Sequence, residues 1–144
     1  MTAFGRISLR ARRGHRYRRG QAAIELAIVA LPALILLFAI TQLGIAVYTW
    51  NSIDYATRCA ARYAMVHGAN SVSPATSSSV QSYVDGLVVG LDPSALSVTT
   101  TWTPDNNPGS SVKIQVQYNF NPVAPFVSSL TLPLSSTAVT TITN

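Results

Sequence analysis

The stretch that decides the fold is Arg18-Arg19-Gly20-Gln21-Ala22-Ala23-Ile24-Glu25-Leu26, together with the apolar run that follows it. A cluster of arginines ends at one glycine, and a single glutamate follows five residues later. No charged residue then occurs between Glu25 and Asp54. An uncharged apolar run of this length can cross the roughly 30 Å hydrocarbon core of a bilayer as a helix. The pattern therefore predicts a membrane helix preceded by a basic leader.

The positive charge of the chain is concentrated in that leader, residues 1–20. The formal net charge is +5, yet residues 21–144 carry fewer basic than acidic side chains. The part beyond the leader is therefore slightly acidic and is not suited to nucleic acid as a partner. Arginines beside a membrane helix hold that end in the cytoplasm, so Arg16, Arg18 and Arg19 predict a cytoplasmic N-terminus and an extracytoplasmic C-terminal domain. The leader itself is expected to be an irregular basic tail on anionic lipid.

We place the membrane span near Ala22–Tyr48, within a transmembrane segment of residues 21–49. Pro32 lies inside it, and membrane helices tolerate such a kink where neighbouring groups satisfy the freed carbonyl. Tyr48 and Trp50 stand where the helix leaves the bilayer, as interfacial aromatic residues do. Membrane lipid is therefore an expected partner of this helix.

The helix is predicted to continue outside the membrane over residues 50–68. Apolar residues recur there at helical spacing. Asp54, Arg58 and Arg62 stand at successive i, i+4 positions, with the acid before the base, which is the favourable orientation. Gly68 supplies a stop signal. The first helix is thus expected to be about 45 residues long, with about half of it in lipid and half outside.

Residues 69–144 are predicted to form an outer α+β domain. A short second helix is expected at about Thr76–Val89. The β-branched residues of 96–102 and the strict apolar–polar alternation of Val112–Phe120 predict an antiparallel hairpin, and a last strand is expected at about Ser135–Ile142. The predicted fold class is α+β, with a long N-terminal helix packed on a small antiparallel sheet.

Three further features of the sequence concern catalysis and ligand binding. His67 has no partnered acid and no nucleophile motif, and no glycine-rich phosphate loop follows a strand. Cys59 is the single cysteine, which excludes an intrachain disulfide and a multi-cysteine metal site. It is interpreted as a small packed residue, with an intersubunit contact or disulfide as the open alternative. We predict that the chain is not an enzyme and binds no cofactor and no metal. We also expect the apolar loop around Phe126 to pack on its own sheet.

Glu25 is different, because a carboxylate at the lipid-buried end of a helix costs several kcal/mol unless it is near the interface, neutralised or paired. In one interpretation it lies among headgroups beside Arg18 or Arg19. In the other, a cut after Gly20 makes Gln21 the new N-terminus, with its α-ammonium one helical turn from Glu25. Between neighbouring subunits displaced along a filament axis the two groups can meet, and Glu25 would then set the register of assembly.

These residues resemble the class III signal of type IV pilin-like proteins. The finer resemblance is to TadE-like minor pseudopilins of the tight-adherence (Tad/Flp) pilus, and it rests on Arg-Arg-Gly20, Gln21 to Leu26, Pro32 and the Ala- and Arg-rich segment 56–64. It implies processing by a prepilin peptidase after Gly20 and an assembly role for Glu25. Gln21 stands where major pilins carry Phe or Met, and the sizeable β domain favours a minor component.

The resemblance also implies the partners and the place of the protein. Its partners would be the prepilin peptidase, other pilins and pseudopilins, and the inner-membrane pilus assembly machinery. It would be a single-pass protein of the inner (plasma) membrane that can also be incorporated in an extracellular pilus.

Two other classes of protein stay open at this stage. A twin-arginine or general secretory precursor would release a soluble domain, but no small-x-small cleavage site follows the apolar run before Trp50, and Glu25 interrupts the run. An ordinary single-pass membrane protein with an extracytoplasmic partner-binding domain would give Gly20 and Glu25 no special role.

Overall fold

The computed structural model describes residues 14–123 and 131–144, with side chains described from Gly20 onward. The first thirteen residues of the leader and the loop around Phe126 lie outside the described residues. The elements in chain order are the helix α1 (Gly14–Val66), the helix α2 (Ser77–Leu87), a 3₁₀ turn (Pro93–Ala95), and the strands β1 (Leu96–Thr103), β2 (Ser111–Phe120) and β3 (Leu132–Thr141).

The chain divides into two compact units, Met1–Ile40 and Thr41–Asn144. In the first unit the described residues are helical, and almost every side chain from Gly20 to Ile40 is exposed. The helix α1 begins at Gly14, whereas the sequence led us to expect an irregular leader and a helix start near Ala22. Arginine is a good helix former, and residues added to an existing helix do not have to nucleate a new one, so α1 extends into the leader.

In the second unit, α1 supplies one side of the core. Ile53, Ala56, Ala60 and Ala64 are fully buried and recur on one helix face. The alanines have short side chains, which allow the helix backbone to approach the sheet closely. The predicted packing of a long helix on a small sheet is therefore confirmed, and Pro32 lies inside the continuous helix.

The sheet has the order β1-β2-β3, and both pairs of neighbouring strands are antiparallel. The central strand β2 buries Val112, Ile114 and Val116 and turns Lys113 and Gln117 outward, which confirms the predicted alternation. Its register is set by the pairs Leu96 with Tyr118, Thr103 with Ser111, Ser111 with Thr141 and Phe120 with Leu132.

The helix α2 packs the buried side chains of Val80 and Val84 into the same core. Its first turn is capped by Thr76, whose hydroxyl accepts a hydrogen bond from the backbone N–H of Ser79 over 3.2 Å. The Ser79 hydroxyl accepts in turn from the backbone N–H of Thr76. Two otherwise unpaired donors at the helix start are thereby satisfied.

The turn between β1 and β2 is organised by Asp105. Its carboxylate accepts hydrogen bonds from the Ser110 hydroxyl over 2.6 Å and from the backbone N–H of Asn107 over 3.0 Å. These donors, the Ser110 hydroxyl first, hold the pKa of Asp105 below its ordinary value of 3.8. Gly109 completes the turn with a φ of +91°, a conformation that favours glycine.

The C-terminal residues close over the end of α1. The backbone N–H of Thr143 donates to the carbonyl of Met65 over 3.0 Å, so one of the free carbonyls at the end of the helix is paired. Gly68 lies against this segment. A Cβ at Gly68 would overlap the carbonyl oxygen of Asn144 and lie 2.5 Å from Cγ2 of Ile142. The glycine is therefore needed for the close approach of Ile142 and Asn144.

Candidate functional site

The site predicted from the sequence lies on α1, where the described side chains begin. Gly20, Gln21 and Glu25 are all exposed. Because residues four apart lie on the same face of a helix, Gln21 and Glu25 are neighbours. The amide Nε2 of Gln21 donates to Oε1 of Glu25 over 3.4 Å, near the long limit for a hydrogen bond. The structure thus places the first residue after Gly20 one turn from the predicted assembly residue.

The carboxylate of Glu25 has no ion pair among the side chains described from residue 20 onward. Among these side chains, α1 has an ion pair nearer its C-terminal end. There, a guanidinium nitrogen of Arg58 lies 2.9 Å from a carboxylate oxygen of Asp54. Arg16, Arg18 and Arg19 belong to the helical backbone of α1, but their side chains lie outside the description. Their effect on topology and on Glu25 stays a prediction.

Gly20 has open space around it. A Cβ built on Gly20 would have no atom within 4 Å, so the packing of the described residues does not require a glycine here. Glycine inside a helix costs about 0.5–1 kcal/mol relative to alanine. The chain therefore carries a residue that weakens the helix locally at the predicted cut.

The helix from Gly20 to Val66 is long and apolar enough to cross a membrane, by length and composition. Its most apolar window is not buried at all by the described residues. Large apolar side chains such as Leu26, Leu31 and Phe38 are exposed throughout this stretch. Exposure of so many large apolar side chains is typical of a surface that contacts lipid or protein rather than water.

The other titratable candidates have structural neighbours. The Nδ1 atom of His67 lies 2.8 Å from the carbonyl oxygen of Tyr63, and the two rings stack with centroids 4.1 Å apart. Tyr63 also stacks on Tyr83 of α2, at 4.8 Å. The sequence had no signal for this second stack, because it joins two helices that are distant in the chain. The described residues, 14–123 and 131–144, contain no group of His, Cys, Asp and Glu that could hold a metal ion.

Cys59 is half-buried on α1, and its role stays a prediction. A hydrogen bond with Cys59 raises the pKa of the exposed Tyr55 hydroxyl. Tyr55 lies one helical turn before Cys59, so this contact is local to α1 and carries no further chemistry.

An exposed apolar helix of membrane-crossing length, followed by an α+β domain, is consistent with a single-pass membrane protein. Residues 20–62 match the family model described as TadE-like protein. This match supports a TadE-like protein of Tad pilus systems. No curated protein and no solved structure matches it.

The family match begins at Gly20 and ends at Arg62. It contains Gln21, Glu25 and Pro32 and stops before the sheet. The part of the chain shared with the family is therefore α1, whereas the outer sheet lies outside the match. TadE-like pilus components are structural proteins, and the match suggests a component associated with the Tad pilus.

Proposed function

We propose that the chain is a minor pseudopilin of a Tad (Flp) pilus that a prepilin peptidase cuts after Gly20. The observation that carries the proposal is that the family match starts at Gly20, with Glu25 one helical turn beyond Gln21. In this role the protein is a structural subunit without catalytic residues. Gly20 and Gln21 are recognised by the peptidase, and Glu25 acts during assembly.

The local structure favours Gly20 as the point of cutting. The peptide bond between Gly20 and Gln21 belongs to α1, so its backbone must leave the helix before a peptidase can reach it. Glycine reduces the cost of that opening by about 0.5–1 kcal/mol relative to alanine. The exposure of both residues means that no packed side chain is lost when the helix opens.

Removal of the leader changes the electrostatics of the helix end. It takes away most of the positive charge and creates an α-ammonium at Gln21. Burying an unpaired carboxylate in a membrane costs about 3 kcal/mol. An opposite charge 4 Å away is worth about 4 kcal/mol at an effective dielectric constant of 20, which offsets that cost. A neighbouring subunit in register would supply the ammonium for Glu25, and a subunit out of register would not.

The orientation follows from the arginines. Arg16, Arg18 and Arg19 hold the N-terminus in the cytoplasm before processing. The outer domain, residues 69–144, is then extracytoplasmic, and the protein stays in the inner membrane or enters an extracellular pilus. Its partners are the prepilin peptidase, other pilins and pseudopilins, the inner-membrane assembly machinery and membrane lipid.

Co-expression of the full chain with and without a prepilin peptidase tests the proposal. The membrane-extracted protein should lose the mass of residues 1–20 only when an active peptidase is present. A chain that keeps its full mass with the active peptidase would instead be an ordinary single-pass protein with a partner-binding outer domain.

A further inference from the structure

At one end of the sheet, the residues where β2 ends and β3 begins carry no charge, and they lie beside α1. We call Phe120–Val123 and Thr131–Leu134 the charge-free rim. Phe120 pairs with Leu132 across β2 and β3, and the Thr131 hydroxyl donates to the Asn121 side-chain oxygen over 3.1 Å. The backbone N–H of Val123 donates to Oε1 of Gln42 over 3.4 Å. The rim is thereby located next to the Gln42 turn of α1.

Burial along α1 independently shows where the outer domain starts to cover the helix. Gln42 and Ala46 are half-buried, Thr49 is 4% exposed and Ile53 is fully buried, and these residues recur on one face. The other faces of the same turns are bare and apolar, with Leu43, Tyr48 and Trp50 among the exposed side chains. The domain therefore packs along a section of helix whose remaining surface is apolar.

The distribution of charge also indicates that the charge-free rim and the neighbouring surface of α1 belong together. No charged side chain occurs between Glu25 and Asp54, and none occurs after Lys113. The two charge-free segments meet where Val123 contacts Gln42. A water-facing surface of a soluble domain ordinarily carries charges of both signs. The rim instead exposes Val123 at 85% and Leu132 at 39%.

The length of the helix gives the depth of the charge-free rim in the bilayer. At a rise of 1.5 Å per residue, the stretch from Glu25 to Gln42 is about 26 Å long, within the roughly 30 Å of the hydrocarbon core. Tyr48 is about 35 Å from Glu25 on the same scale, which falls in the headgroup layer. With Glu25 at the cytoplasmic boundary, Gln42 reaches the outer boundary of the hydrocarbon, and a tilt of the helix places it deeper.

We propose that the charge-free rim rests in the outer leaflet of the membrane, with lipid as its partner. This rests on the proposed single-pass anchoring of α1. The charge-free rim and the bare turns of α1 from Leu43 to Trp50 then form one continuous lipid-facing surface. The outer domain is docked on the membrane by the end of its sheet, and incorporation into a filament requires it to leave that lipid contact.

Fluorescence quenching in proteoliposomes tests the docking. In a Cys59→Ser background of the full chain, single cysteines at Val123→Cys and Val139→Cys are labelled with an environment-sensitive dye. Val139 is the matched control, because it is 64% exposed on the same sheet but pairs with Lys113 at the other end. We expect the dye at position 123 to emit at shorter wavelength and to be quenched by nitroxide-labelled lipid. Quenching by aqueous iodide should be several-fold weaker at position 123 than at 139.

Two results would overturn the docking. Equal quenching by iodide at both positions would place the rim in water, and protection of position 123 from both quenchers would place it against protein, such as a second copy. Flotation with the vesicles separates this failure from failure of the anchoring itself. A chain that does not float has no membrane helix, whereas one that floats with position 123 in water is anchored but not docked.

Discussion

The amide Nε2 of Gln21 lies 3.4 Å from Oε1 of Glu25, one helical turn further along α1. In the intact chain Glu25 thus has a neutral neighbour at the edge of hydrogen-bonding distance. Cutting after Gly20 would place an ammonium on the residue that already neighbours Glu25. Within one helix, the backbone nitrogen of Gln21 lies along the helix axis rather than beside the Glu25 side chain. The Gln21 ammonium and the Glu25 carboxylate therefore pair better between two subunits than within one helix.

Gly20→Ala should block processing. The Cβ would meet no atom of the described residues, so the outer fold should be unchanged. Gly44→Ala is the matched control, since a Cβ at Gly44 also meets nothing within 4 Å. Immunoblotting of membranes that contain the peptidase should show full-length Gly20→Ala and shortened Gly44→Ala. Equal shortening of both variants would contradict recognition of Gly20.

Glu25→Ala should leave processing intact and impair assembly. Loss of a pair with a neighbouring α-ammonium should reduce co-purification with partner pilins about tenfold or more, since a factor of ten corresponds to about 1.4 kcal/mol. Asp85→Ala removes an exposed acidic side chain from α2 and serves as the control. The role of Glu25 is wrong if Glu25→Ala is processed and co-purifies as well as Asp85→Ala does.

Gly68→Ala should destabilise the outer domain by about 1–3 kcal/mol, the usual cost of overpacking. The added methyl would displace Asn144 and Ile142 from the end of α1. Gly86→Ala is the control, because a Cβ there has open space within α2 and alanine favours the helix. Thermal unfolding of the full chain in detergent, followed by circular dichroism, should give a lower midpoint for Gly68→Ala only. Matching midpoints would show that the C-terminal segment does not need this close approach.

Because of Asp105, the stability of the fold should decrease in acid. Its folded pKa lies below the ordinary value of 3.8 because Ser110 and Asn107 donate to the carboxylate. The stabilisation is therefore present above pH 3.8 and is lost as the pH falls through the lower folded pKa. At neutral pH, Asp105→Asn should lower the unfolding midpoint relative to wild type. In strong acid, the midpoints of the variant and of wild type should lie close together. Ser110→Ala, which removes the first donor, should show a smaller effect of the same sign. A constant difference between Asp105→Asn and wild type across pH would contradict this.

Local patterns in the sequence were sufficient to predict α1 beyond the span, α2 and the hairpin. The alternation from Val112 to Phe120 identifies the buried face of β2 because side chains alternate along a strand. The i, i+4 spacing of Asp54 and Arg58 predicts their ion pair for the same local reason. The packing of a helix on an antiparallel sheet then follows from the apolar faces of both elements.

Contacts between distant parts of the chain could not be predicted in this way. Gly68 was interpreted only as a helix stop, and its contact with Asn144 depends on where β3 ends in space. Gln42 was assigned to the membrane span by composition alone. Its bond with Val123 depends on how far the sheet extends along α1, which no periodicity encodes.

The most direct test of the central claim is the N-terminal residue of the mature protein. The chain would be extracted from membranes that contain the peptidase and digested, and its N-terminal peptide identified by mass, because an N-terminal glutamine can cyclise and block stepwise degradation. We predict that this peptide begins at Gln21, in open or cyclised form. A peptide that begins at Met1 or Thr2, or one that begins beyond Ile40, would contradict the assignment of the chain as a processed pseudopilin.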